Sequence, residues 1–331
     1  MSRTAITRRR LIQAGAAGLA APAVLRVTPA FAAWPQDKPI KIIVPFAPGG
    51  PTDIMARLMA AHLSEKLKGA FVVENKAGAG GNIGMGEVAR AEPDGYTLLI
   101  TSSALVVNPS LADKIPYDPA KDFEPISELG ASPNVFGVSP DLGVNTMAEL
   151  VALAKKDPDK LNYASPGIGT TPQLAAELLK VRAGINMAHV SFNGAGPAVQ
   201  AVLAGTTQVG SFALPPAHPH IAAGKIKALA VTSASRWYDM PTVPTMVESG
   251  FKDFVADTLQ AFLAPAKTPK GVIDMLVTTC DEILKRPEVA DRLRKSGFDG
   301  LNKGPAGLRS RIEKEVPMWR QVVTDAGIKL R

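Results

Sequence analysis

Residues 41 to 53, KIIVPFAPGGPTD, combine the residue types that can hold an anion without a charged side chain. A β-branched apolar run stops at a Pro/Gly turn, and the helical pattern Ile54-Met55-Ala56-Arg57-Leu58-Met59 follows directly. The first backbone N–H groups of a helix have no partner inside it, and Gly49 and Gly50 let other atoms approach that backbone. Such a corner attracts carboxylate or phosphate. One corner alone is equally an ordinary strand-to-helix connection, so its weight comes from recurrence. Residues 75 to 86, NKAGAGGNIGMG, form a glycine-dense loop leading into 87–90. Residues 163 to 172, YASPGIGTTP, end a strand and open a helix for which Thr171 is a natural N-cap and Pro172 the first helical residue. Residues 190 to 197, VSFNGAGP, repeat the scheme, with Pro197 beginning a helix that Gly205 can close.

Other chemistries fail on residue type. Gly81-Asn82-Ile83-Gly84-Met85-Gly86 has the glycine spacing of a phosphate loop, but Glu87 stands where the lysine belongs and would repel phosphate. Gly167-Ile168-Gly169 lacks the third glycine and the downstream acid of a dinucleotide fingerprint. The sequence contains no G-x-S-x-G, H-E-x-x-H or C-x-x-C. His218 and His220, separated by Pro219, have no acidic or thiol partner nearby in sequence, and His62 and His189 read as packed or surface residues. We therefore expect no catalytic residues, no metal and no cofactor.

The elements that must position these corners alternate: strand 41–44 then helix 53–67, strand 96–100 then a short helix, 135–138 then 146–155, 161–164 then 172–181, and strand 227–231. That pattern specifies an α/β fold with mostly parallel sheets flanked by helices. Open α/β sheets bind ligands beyond the carboxyl ends of their strands, so the corners belong at one rim. The first 32 residues are not part of this fold. Thr7-Arg8-Arg9-Arg10-Leu11-Ile12 precedes an alanine- and glycine-rich run, and Ala30-Phe31-Ala32 supplies the small residues of a cleavage point. This reads as a cleaved twin-arginine export signal (residues 1–32) and places the protein in the periplasm, with cleavage near Ala32/Ala33. Arg26, Pro22 and Pro29 interrupt any apolar run approaching the roughly 20 residues of a membrane span, so no stable membrane anchor is expected.

Removing the five arginines of that segment from 37 basic residues leaves 32 against 30 acids, so most of the formal charge of +7 belongs to the signal. No basic tract with interleaved aromatics remains, which excludes nucleic acid as a partner. The single cysteine, Cys280, cannot form an internal disulfide and reads as a buried helical thiol. About 299 mature residues exceed what one core usually serves, so two lobes are expected. Their boundaries are set at 33–130 with 251–331 for the first and 131–250 for the second. The chain would cross outward within 123–129 and return between 232 and 263.

Several motifs in fixed order then carry a resemblance. They are Ile43-Val44-Pro45-Phe46-Ala47-Pro48-Gly49-Gly50 through Asp53, residues 77–84, Asp94-Gly95-Tyr96-Thr97-Leu98-Leu99, Tyr117-Asp118-Pro119 with Asp122-Phe123-Glu124-Pro125-Ile126, residues 163–170, GKIKALAVTSASR at 224–236, and Pro241-Thr242-Val243-Pro244-Thr245. In these the mature chain resembles, nearly end to end, the substrate-binding receptors of tripartite tricarboxylate transporters, the Bug family. The resemblance implies a two-lobed clamshell of the periplasmic binding protein type (type II-like). It would close, as a monomer, on a small organic carboxylate and deliver it to membrane permease subunits. A secreted α/β enzyme acting on a small acid, or a ligand-sensing partner of a membrane kinase, are the alternatives.

By position, the resemblance places Phe46, Ala47, Pro48, Gly49, Gly50 and Thr52 at the cleft, with Thr101, Ser102 and Asn108 from the next loop. Ser165, Gly167, Gly169, Thr170 and Thr171 follow, then Phe192, Asn193 and Gly194. Asp53 would cap its helix instead of touching ligand. Against the family pattern, Gln208 and Phe212 stand where aspartates are frequent, and Asn193 where lysine or arginine is common. An aspartate at the second position would suit an α-ammonium group. Phe212, facing the cleft, would instead offer a flat apolar wall, which points to an acid without an amino group, aromatic or dicarboxylic.

Overall fold

Buried β-branched runs build two sheets around one long shared strand. The computed structural model describes residues 34–111, 114–158, 160–300 and 303–325. The arginine pair and the cleavage point lie outside the described residues. In the first sheet, β1 (Ile40–Val44) pairs in parallel with β2 (Phe71–Asn75) and β3 (Thr97–Ser102). Strand β4 (Phe123–Val138) and strand β9 (Asp257–Pro265) complete it, β9 lying antiparallel between β3 and β4. In the second sheet, β5 (Asn162–Ser165) pairs in parallel with β6 (Ala188–Ser191) and β7 (Val209–Ala213). The far end of β4 lies antiparallel between β7 and β8 (Lys227–Val231). Every antiparallel pair therefore involves β4 or β9, the strands at which the chain passes between sheets.

The partner of β4 changes between Pro133, opposite Asp257 of β9, and Asn134, opposite Ala213 of β7. That is where the chain crosses, later than the 123–129 stretch. Pro125 and Gly130 are absorbed at two register shifts against β9, the bulges by which a strand tolerates such residues.

Helices α1 (Pro51–Leu67), α2 (Asn82–Ala89) and α3 (Ala104–Val107) follow the strands of the first sheet. Helices α4 (Met147–Lys156), α5 (Thr171–Ala183), α6 (Ala195–Leu203) and α7 (Leu214–Ala222) belong to the second. Helices α8 (Lys270–Leu284), α9 (Pro287–Lys295) and α10 (Gly304–Asp325) return to the first lobe, where α10 packs on β4. Cys280 is buried within α8, and burial pushes its thiol pKa up.

Alternation along the strands gives the second sheet a core on each face. Phe136, Tyr163 and Val209 join one with Met147, Leu150 and Leu179. Their strand neighbours Val135, Ala164 and Phe212 join the other, with Val199, Val202 and Ile226. A sheet covered on both faces is the α/β arrangement expected from the alternating elements. Among the described residues, no helix is long and apolar enough to cross a membrane.

Candidate functional site

Three helices begin around one small cavity. The cap of α1 is Gly50, in extended backbone; that of α5 is Thr170; that of α6 is Gly194, at φ 152°. None of the three supplies a side-chain hydrogen bond to its helix. Thr170 instead donates its hydroxyl to the Gly167 carbonyl at 2.7 Å. The cavity is bordered by Phe46, Gly50, Pro51, Thr52 and Ser102 from the first lobe and by Pro166, Thr170, Pro172, Ala195 and Ala213 from the second. Thr258 of β9 closes its floor. Among the described residues, none with a charged side chain borders it. Helix N-termini carry partial positive charge, so the site is electropositive without a formal cation.

Asp53 stands behind this cavity, not in it. One oxygen of its buried carboxylate accepts the Gly49 N–H at 3.0 Å and the Arg57 Nε–H at 3.0 Å, and the other accepts from Asn75 at 3.0 Å. Asn75 also donates to the Phe46 carbonyl at 2.9 Å. Burial alone would raise the pKa, but the bonds from Arg57, Gly49 and Asn75 outweigh it and hold the carboxyl below its ordinary range. The acid therefore fixes the Phe46–Gly50 turn and has its own charge neutralised.

The lobes meet across the cleft. The Ala47 N–H donates to the Asn193 carbonyl at 2.7 Å, and the cavity beneath holds about 20 Å³, roughly the room of one water molecule. Glycines permit this approach: a Cβ on Gly80 would stand 2.1 Å from the Ile168 carbonyl oxygen, and one on Gly196 would stand 2.7 Å from that of Pro48. Beside it lies a more polar cavity of about 270 Å³, bordered by Asn82, Asn108 and Gly80 on one lobe and by Gly167, Ser191, Phe192 and Asn193 on the other. Pro166 and Gly167 of a single turn thus border the two cavities. Asn108 donates to the Gly80 carbonyl at 3.0 Å and to Asn82 at 2.8 Å, which orders this wall.

The remaining expected residues support the rim from behind. Ser165 is fully buried; its oxygen accepts the Gly167 N–H at 3.2 Å and lies 2.7 Å from His189 Nε2. That is a nucleophile-to-base distance, yet the hydroxyl is occupied in supporting its own turn. His189 stacks on Tyr163, which donates to Glu177, and burial, against the attraction of Glu177, keeps the imidazole pKa below its usual value. Thr171 shares a 2.7 Å hydrogen bond with Thr258, which donates to Asn134 at the crossing of β4. Thr101 is bonded to Met85, and the Gly169 N–H goes to Gln173.

Four readings of the sequence need correction. Asp53 does not cap α1; Gly50 does, and Asp53, inside the helix, reaches back to the Gly49 N–H. The cap of α5 is Thr170, with Thr171 its first residue, because the hydroxyl of Thr171 is drawn to Thr258 instead of to its own helix. Helix α6 starts at Ala195, two residues before Pro197, since Gly194 adopts the turn conformation that frees the backbone to begin earlier. Phe212 does not line the cleft. It lies in the second lobe's core with Ala164 and Val202, against Gly210, where a Cβ would stand 1.8 Å from its ring. Its neighbour Ala213 is the cavity residue, and strand alternation was the available signal. Pro51 and Pro166 fall inside the stretches expected at the cleft, whereas Pro172, Ala195 and Thr258 border the cavity outside them, the first two beside an anticipated residue.

Residues 55–328 match the family model described as the tripartite tricarboxylate transporter family receptor. The chain is 36% identical over 317 residues to Protein BugT of Bordetella pertussis, with 95% of each covered. An R. palustris protein solved with adipate is 33% identical at a TM-score of 0.86, covering 89% of this chain and 99% of its own. MatC from Rhodopseudomonas palustris, solved with bound malate, is 30% identical at a TM-score of 0.82, covering 86% of this chain and 98% of its own. The fold, the rim of helix N-termini and these matches together make the chain a member of the tripartite tricarboxylate transporter receptors, a periplasmic solute-binding family that includes the Bug proteins.

Proposed function

We propose that this chain is a periplasmic receptor that closes its lobes on a small organic dicarboxylate without an amino group and presents it to permease subunits in the membrane. The observation that carries this reading is the convergence of three helix N-termini from both lobes on one cavity without charged walls. One carboxylate would sit at those N-termini, and the other end of the ligand would reach the polar cavity of Asn82, Asn108 and Asn193. A dicarboxylate is several times larger than the cavity at those N-termini, so its seating there requires the lobes to part. The adipate and malate of the two relatives support the ligand class. An α-ammonium group would be stripped of water with no acid to pair it, which costs several kcal/mol.

A thermal-shift screen with adipate, malate, benzoate and glutamate tests the reading. Adipate or malate at 100 times its Kd should stabilise the protein by about 2.7 kcal/mol, and glutamate should not; tight glutamate binding would overturn the ligand class. Export rests on the sequence alone. Changing Arg8 and Arg9 together to lysine should retain precursor in the cytoplasm, and normal periplasmic yield would refute the twin-arginine route.

A further inference from the structure

Behind the crossing strands lies a larger cavity of about 660 Å³, within the range of small-molecule sites. Asp257 of β9 borders it, whereas the next residue, Thr258, borders the ligand cleft, as the alternation of a strand requires. Both lobes wall it: Trp237 and Ser233 beyond β8 on one side, Arg311, Glu315 and Trp319 of α10 on the other. The angle between the lobes therefore sets its width, in the opposite sense to the cleft.

Four acids, Glu128, Asp257, Asp299 and Glu315, border it with three cations, Lys303, Arg311 and Lys314. Each nitrogen of the Arg311 guanidinium is taken: Nη1 donates to Glu128 at 2.6 Å, Nε to Glu315 at 2.5 Å, and Nη2 to Asp257. This one guanidinium is thus shared among three carboxylates. The nearest other cation at Glu128, Lys303 Nζ, stands 3.9 Å away on a half-exposed side chain. Trp319 Nε1 donates to the second oxygen of Glu315 at 3.3 Å. Glu128 is fully buried, and among the described residues its Oε2 has no hydrogen-bond partner. The hydroxyl of Ser132, buried on the same wall, is likewise unpartnered. A buried carboxylate oxygen left without a donor is costly. An ammonium group brings three donors and a positive charge to the wall that holds these two residues, while Trp319 and Met318 line the path of an alkyl chain.

We propose that this rear cavity is a second binding site, for a small alkylammonium ion, whose occupation favours the closed cleft. The coupling rests on the receptor reading above; the site itself does not. The cavity stands open at about 660 Å³ in a structure whose lobes touch at Ala47 and Asn193, so an ion that fills it would resist their parting. Linkage makes the effect reciprocal.

Calorimetric titration with putrescine tests the site without any carboxylate present. Saturable one-to-one binding with a Kd below about 1 mM is expected. Glu128→Gln should weaken it at least tenfold. Val255→Trp should block it from an exposed position at the mouth, where the native side chain is 56% exposed and the substitution leaves the core untouched. Absence of saturable binding, or binding indifferent to both variants, would overturn the site. In a second titration, putrescine should tighten adipate binding several-fold; an unchanged or weakened affinity would overturn the coupling. If adipate does not bind at all, the receptor reading fails while the first titration still decides the site.

Discussion

An acid beside the proposed anion site is tolerable only when its charge is spent elsewhere, and Asp53 is spent on Arg57, Asn75 and the Gly49 N–H. Asp53→Asn should cost about 1–3 kcal/mol by weakening charge-assisted hydrogen bonds to a buried group. It should also loosen the turn that brings Gly50 to the cavity. The pH dependence has a definite sign. A folded-state pKa held below the unfolded value of about 3.9 contributes stability that is present above pH 4 and is lost as pH falls through the folded value. Urea denaturation of the variant should therefore show a flatter acid limb; a limb as steep as that of the native protein would remove Asp53 from this role. Phe212 makes the opposite point, because its importance is to packing. Phe212→Ala should cost about 3–5 kcal/mol and leave adipate affinity intact in the molecules that remain folded. A loss of affinity at unchanged stability would put the ring back in the cleft.

At the scale of elements, the three uncapped helix starts can be tested by adding the cap that evolution left out. Thr170→Asp places a good N-cap acid on α5, so the ligand-free protein should change in stability by about 1 kcal/mol or less. A carboxylate brought near a second carboxylate is repelled by about 3 kcal/mol at an effective dielectric constant near 20. Adipate binding should accordingly fall a hundredfold or more by calorimetry; retained affinity would mean that α5 does not face the anion. These helix starts are legible in the sequence to within two residues, because each depends on local chemistry: a strand run, Gly or Pro, then a 3.6-residue pattern. What depends on parity or long-range pairing is not legible. Pro125, Gly130 and Pro133 disguise β4 as several segments, and only pairing with β9 shows it to be one strand. Phe212 and Ala213 look alike as apolar residues until register decides which one faces the cavity. The rear cavity is invisible in the same way, since Glu128, Asp257 and Arg311 are far apart in sequence.

On the proposed reading the whole molecule works by the approach of two lobes, and its glycines mark where the lobes lie closest. Gly80 would strain any side chain by its positive φ as well as by contact with Ile168, so replacing it confuses two effects. Gly196 does not have this problem. It lies in the first turn of α6, where alanine favours the helix over glycine by up to about 1 kcal/mol. A methyl group there would nevertheless stand 2.7 Å from the Pro48 carbonyl oxygen on the other lobe, closer than real Cβ contacts allow, and the obstacle is backbone that cannot swing aside. Gly196→Ala should therefore leave the second lobe as stable as before, or slightly more so, while holding the lobes apart at the Ala47–Asn193 hydrogen bond. Small-angle scattering with saturating adipate should show a larger radius of gyration than the native complex. Adipate affinity should drop at least tenfold, because a ligand held by one lobe loses the donors of the other. If scattering and affinity both match the native protein, closure does not bring these loops together, and binding must use a geometry in which Pro48 and Gly196 stay apart.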